Sequence, residues 1–142
     1  MRALGLDLGA RRIGVAISDS DGRVATPIGT IDRASKDRAA DHQAIAGLVA
    51  EWGATVVTVG VPLSLDGSVG PAAASVLAEV AELAEVLPVP VETVDERFTT
   101  VSAEAQLRAG GVRGRDRRKV IDQAAATVLL QAWLDRQGSE QC

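Results

Sequence analysis

The sequence predicts an α/β fold built on a five-stranded mixed sheet with helices on both faces. Three observations predict it. The first thirty or so residues alternate apolar with small or polar residues in short runs broken by turn residues, the pattern of an antiparallel meander. The run Thr55-Val56-Val57-Thr58-Val59-Gly60-Val61 is continuously apolar and β-branched, as expected of a strand buried on both faces. Helical periodicity separates that run from the meander before it and from a second β-branched run, Val89 to Val94, after it. At 142 residues, 46% hydrophobic and 24% charged, the chain suits one domain, residues 1–142, with about 137–142 as a loose tail. It has no internal repeat and no low-complexity linker.

The first strand is predicted from Arg2 to Leu8. Leu4, Leu6 and Leu8 alternate with Ala3, Gly5, Asp7 and Gly9, so one face is bulky and the other small apart from one carboxylate. Ile13 to Asp19 forms the second strand. Asp21-Gly22 is a hairpin signal, and Val24 to Thr30 forms the third strand. A helix over Ser35 to Trp52 places Ala39, Ile45, Leu48, Val49 and Trp52 at helical spacing, and Gly53 closes it. The buried strand at 55–61 ends in the loop Pro62-Leu63-Ser64-Leu65-Asp66-Gly67. An Ala-rich helix runs from Pro71 to Leu87, where Pro88 stops it. The fifth strand then delivers Asp95-Glu96-Arg97 to its carboxyl end. Thr99 or Thr100 caps a short helix through Ala109, Gly110 to Arg115 is a loop, and the last helix covers Asp116 to Arg136. Right-handed crossovers make strands four and five parallel to a central strand one. Sites in such sheets form at carboxyl strand ends where the order switches, which is where Asp7 and Glu96 fall.

Composition removes several chemistries. The single cysteine, Cys142, is the last residue, so a disulfide framework or Cys-based metal site is excluded. One histidine, His42, excludes a His-rich metal site and argues against a Ser-His-Asp triad. Aromatic content of 2% leaves almost no platforms for stacking single-stranded bases. No signal peptide or apolar run of membrane-spanning length is visible, so the expected location is cytoplasmic, with no membrane partner. The net charge of −4 averages over unlike regions: Arg108 to Lys119 holds six basic residues and one acid. That segment is either a directed phosphate contact or a solvated loop.

Three acids sit where acids are costly. Asp7 interrupts a strand between two glycines; either it holds something that approaches the backbone closely, or it caps a turn or answers Arg11 or Arg12. Asp122 heads a helical stripe of Ala126, Leu129 and Trp133, and its bland alternative is an ion pair with Arg118 or Lys119. Glu96 either joins these two or pairs with Arg97, and Asp95 is a rival on the opposite face of its strand. Three converging carboxylates cannot all ionise without a counter-charge. Mg²⁺ or Mn²⁺ answers that need with oxygen ligands. Two such ions roughly 3.5–4 Å apart can activate water and stabilise the leaving oxygen in phosphodiester cleavage.

Four segments resemble the YqgF family, of RNase H-like fold, whose members are described as Holliday-junction resolvases or pre-16S rRNA nucleases. They are Gly5-Leu6-Asp7-Leu8-Gly9 with Arg12-Ile13-Gly14-Val15-Ala16, Val59-Gly60-Val61-Pro62-Leu63 with Asp66-Gly67, Asp95-Glu96-Arg97 with Thr99-Thr100, and Asp122-Gln123-Ala124-Ala125-Ala126. They span nearly the whole chain in order. Phe98 and Ser64-Leu65 depart from the family's usual residues. The resemblance implies that Asp7, Glu96 and Asp122 are catalytic and bind Mg²⁺ or Mn²⁺, two ions during catalysis. It implies nucleic-acid contacts from Arg11, Arg12, Arg97, Arg113, Arg115, Arg117 and Arg118.

The expected activity is metal-dependent endonuclease cleavage of structured RNA, the 5′ end of pre-16S rRNA, with the pre-ribosomal small subunit as partner. Cleavage of branched DNA at four-way junctions is the alternative, and a non-enzymatic nucleic-acid-binding factor is a further one. A sugar-kinase-like phosphotransferase shares the Gly-x-Asp-x-Gly hairpin but needs two lobes. Either a monomer or a homodimer is compatible with the sequence.

Overall fold

The computed structural model describes residues 1–33, 37–98, 107 and 109–141; the side chains at 115 and 139–141 lie outside the description. Strands β1 (Ala3–Leu8), β2 (Arg12–Ser18) and β3 (Ala25–Asp32) form the expected meander. Helix α1 (Arg38–Trp52), β4 (Val56–Val61), α2 (Pro71–Val86) and β5 (Val91–Asp95) follow. A single 3₁₀ turn, Glu96–Phe98, continues β5, and the last described helix, α3, is Gly114–Gln141. The sheet order is β3-β2-β1-β4-β5, antiparallel among the first three strands and parallel from β1 through β4 to β5. Strand β1 is therefore central, as the sequence predicts.

Local chemistry sets the element ends. The Asp37 carboxylate accepts the Ala40 backbone N–H at 3.1 Å and caps α1, which Gly53 closes in a left-handed conformation. Pro71 opens α2. Strand β5 begins at Val91 rather than Val89 because Pro88 and Pro90 have no N–H to offer a ladder; the Pro90 carbonyl still accepts from Val57. Helix α3 starts two residues before the predicted Asp116 and runs through Gln141. The short helix predicted from Thr99 or Thr100 lies almost wholly outside the described residues, as does the predicted first turn of α1 at Ser35.

The two faces of the sheet differ in bulk, and each receives different helices. Leu4, Leu6, Ile13, Val15, Ile17, Val57 and Val59 pack with Ile45 and Val49 of α1 and Leu83 of α2. On the other face Ala3, Ala16, Val56 and Val94 meet Ala126, Leu129, Leu130, Trp133 and Leu134 of α3. Helix α3 lies very close because glycines line its bed. A Cβ on Gly5 would stand 2.7 Å from Leu130 Cβ, and one on Gly60 would stand 2.5 Å from Leu129 Cδ1. Leu129 and Leu130 are almost fully buried there, each worth roughly 2 kcal/mol of transfer free energy. The small-residue face seen in the sequence is the seat of α3.

Candidate active site

Strand alternation puts Asp7 on the α3 face, and its antiparallel partner in β2 is Gly14. The backbone of Asp122 lies directly over that glycine, so α3 delivers its carboxylate beside Asp7. Across β1, Gly60 of β4 pairs with Val94 of β5. The Glu96 carboxylate reaches back over Gly60, 3.1 Å from where a Cβ would stand. Asp7, Glu96 and Asp122 thus share one face at the carboxyl edge of the sheet.

Their mutual electrostatics register the closeness. Burial, then the charge of Glu96, then that of Asp122, push the Asp7 carboxyl up from 3.8 to about 7. Burial and the neighbouring Asp95 raise Glu96 as well. Three half-buried carboxylates in this state fit a hard divalent cation, whose charge would reverse both shifts. Among the described residues no three ligating side chains are yet drawn to cation-binding distance. Asp122 is engaged elsewhere: Arg12 Nη1 donates to its Oδ2 at 3.2 Å.

That ion pair replaces the local one expected of Asp122. Its partner is 110 positions away in β2, not one turn back at Arg118. Arg97, a candidate partner of Glu96, grips Asp95 through Nε at 3.0 Å and Nη2 at 2.7 Å. Those bonds hold Asp95 below the usual carboxylate range. Arg97 Nη1 also reaches the Leu65 carbonyl, tying β5 to the loop after β4.

The predicted basic residues divide. Arg11, Arg12 and Arg118, joined by Lys119 and by Asp32, line a groove of about 400 Å³ that is linked to Asp122 through Arg12. Arg117 donates to the carbonyls of Ala109 and Val112 and so braces the preceding loop. Arg113 is exposed outside the groove lining, and the Arg115 side chain lies outside the description.

One functional support was missed by sequence reasoning. Arg33, just past β3, donates from both Nη atoms to Glu79 at 2.8 Å, from Nη1 to Asp41 at 3.4 Å, and from Nε to the Gly9 carbonyl at 2.7 Å. His42 Nε2 lies 2.9 Å from Glu79 Oε2. This network, buried at Asp41, His42 and Glu79, pins the turn that follows Asp7 to both α1 and α2. Arg33, Asp41 and Glu79 also line a cleft of about 500 Å³ on the side of the sheet away from α3. The signal was available: Glu79 interrupts the Val76–Leu83 stripe of α2, an acid on an apolar face as Asp122 is at the head of its own.

A family model described as RuvX: Holliday junction resolvase matches residues 1–136. A Mycobacterium leprae protein is 51% identical over 137 residues, covering 95% of this chain and 73% of its own length. A Streptomyces coelicolor protein is 50% identical over 135 residues, covering 94% and 80%. Both carry the name of a pre-16S rRNA nuclease. In fold the chain is similar to Thermus thermophilus RuvC, solved with a Holliday junction substrate: TM-score 0.59, 16% identity, covering 98% of this chain and 97% of that one. It is also similar to the fowlpox virus resolvase solved with junction DNA: TM-score 0.58, 11% identity, covering 96% and 99%.

Proposed function

The chain belongs to the RuvX family, and on that premise we propose that it is a divalent-metal-dependent nuclease that cuts the 5′ region of precursor 16S rRNA. The observation that carries the reading is the gathering of Asp7, Glu96 and Asp122 on one edge, with the Asp7 carboxyl raised to about 7 by burial and by the other two. Asp7, Glu96 and Asp122 would hold Mg²⁺ or Mn²⁺, which when bound supplies the charge that stabilises the attacking and leaving oxygens of phosphodiester hydrolysis.

The chain's own groups do the rest. Arg11, Arg118 and Lys119 line the groove and hold backbone phosphates, which fixes the register of the nucleic acid without reading its sequence. Asp7, whose carboxyl is raised to about 7, would hold the cation in its ionised form, its proton passing to solvent. Arg33 keeps the turn after Asp7 in place through the Gly9 carbonyl. On this reading the enzyme acts in the cytoplasm on the small-subunit precursor, and a monomer suffices for a single cut.

The family description favours a second substrate, the four-way DNA junction, whose symmetry calls for a dimer. Labelled precursor 16S leader RNA and a labelled junction, each incubated in Mg²⁺, Mn²⁺ or EDTA, separate the two. The expected result is cutting of the RNA in either metal, none in EDTA, and none by Asp7→Asn. Cutting of the junction alone transfers the assignment to resolvase. Binding of both substrates without cutting, unaffected by Asp7→Asn, would favour the binding factor.

A further inference from the structure

Arg12 belongs to two sites at once. Its Nη1 holds Asp122 Oδ2 at 3.2 Å, and the same side chain lines the basic groove with Arg11, Arg118 and Lys119. The guanidinium is poorly satisfied where it lies. Among the described residues its Nε is buried with no hydrogen-bond partner, and Asp32, 3.9 Å from it, is largely exposed. A buried donor left unpaired costs more than an ordinary hydrogen bond returns, so Asp122 holds Arg12 in a position with an unmet need.

A cation binding the three carboxylates competes for the oxygen that Arg12 now occupies. Two positive charges on one carboxylate oxygen repel strongly at this depth. A phosphate in the groove offers what the present position lacks, because its oxygens can accept from both Nε and Nη of one planar fork. We infer that Arg12 stands in for the metal at Asp122 in the free protein and passes to a substrate phosphate when the cation arrives. Arg12 is thus a positioning residue that couples metal binding to nucleic-acid binding. Linkage makes the coupling reciprocal: whatever draws Arg12 into the groove strengthens cation binding by the same factor. The inference rests on the metal site of the proposed function.

Calorimetric titration of Mn²⁺ into the nucleic-acid-free protein tests it without reference to activity. Wild type, Arg12→Ala, Arg12→Gln and Asp7→Asn are compared, with thermal melts establishing that each is folded; Arg12→Gln keeps the experiment intact if Arg12→Ala does not fold. Removing the competitor is expected to tighten Mn²⁺ binding roughly fivefold or more. The same variants should bind a fluorescent 2′-O-methyl RNA hairpin more weakly, as measured by anisotropy. Unchanged or weaker Mn²⁺ affinity in the Arg12 variants, with binding present in wild type and lost in Asp7→Asn, overturns this inference alone. Absence of Mn²⁺ binding in wild type overturns the metal site and the inference together.

Discussion

Gly14 of β2 touches the backbone of Asp122: a Cβ on Gly14 would stand 2.0 Å from the Asp122 carbonyl oxygen and 2.5 Å from its carbonyl carbon. The depth at which α3 sits, and with it the reach of the Asp122 carboxylate toward Asp7, depends on one missing methyl group. Gly14→Ala is expected to destabilise the protein by about 2–3 kcal/mol and to impair metal binding by lifting α3. Gly47, inside α1 with nothing near its Cβ position, is the matched control; Gly47→Ala should add roughly 0.5–1 kcal/mol. Urea denaturation of the two variants checks both signs, and equal effects would refute the argument from contact.

Asp7 ties stability to pH in an unusual direction. Its carboxyl binds a proton more tightly in the folded chain, at about 7, than unfolded, at 3.8. The stability it contributes is therefore complete below pH 3.8, declines as pH rises toward 7, and stays lost above that. Asp7→Asn should thus be more stable than wild type at pH 8, by ~2–4 kcal/mol, with the two converging near pH 4. Mg²⁺ at pH 8 should stabilise wild type and leave the variant unmoved. A gap that stays constant across denaturation curves at pH 4, 6 and 8 would refute a raised Asp7 carboxyl.

Glu79 runs the other way. Burial raises its pKa, but hydrogen bonds from Arg33 and His42 and the charges of Arg33 and Arg38 outweigh it and hold the group below the ordinary glutamate value of 4.5. The stability this supplies is present above pH 4.5 and lost as pH falls through the folded value. Glu79→Gln should destabilise at pH 7 and matter less at pH 3. Arg33→Met, which leaves Glu79 and Asp41 buried without their main counter-charge, should cost about 3–5 kcal/mol at pH 7. Stability unchanged in Arg33→Met would refute the network's role.

The phosphate contacts proposed for the groove would carry a salt signature. Arg118→Ala and Lys119→Ala should each lower the slope of log affinity against log salt by about 1. Arg97→Ala should leave that slope alone, because Arg97 is committed to Asp95 and the Leu65 carbonyl. Anisotropy titrations of an RNA hairpin over a salt series distinguish the two; a lowered slope in Arg97→Ala would show that Arg97 also meets phosphate.

The strands and their order were legible because alternation and β-branched runs are local signals. So was the edge at which the acids meet, since the parity of Asp7 and the end of β5 at Asp95 follow from strand geometry alone. Side-chain partners were not legible. Sequence spacing offers Asp122 a neighbour one turn away, whereas the structure offers Arg12, which only the pairing of β2 beneath α3 brings within reach. Arg33 and Glu79 meet across 46 positions for the same reason. Among the basic residues, composition marked the segment, but only the fold separates Arg118 in the groove from Arg117, which is spent on carbonyls.

Among the described residues helix α3 alone covers one side of the sheet, and it follows all five strands in the chain. A nascent chain that has exposed everything up to β5 holds a sheet with one side covered by α1 and α2 and the other a bare bed of Ala3, Gly5, Ala16 and Gly60. The thermodynamic return on that bed, and the arrival of residue 122 over Gly14, come together in one late docking event. Until α3 docks, the Asp122 carboxylate has no fixed place beside Asp7, so the burial of this face and the gathering of the three acids are one and the same folding step.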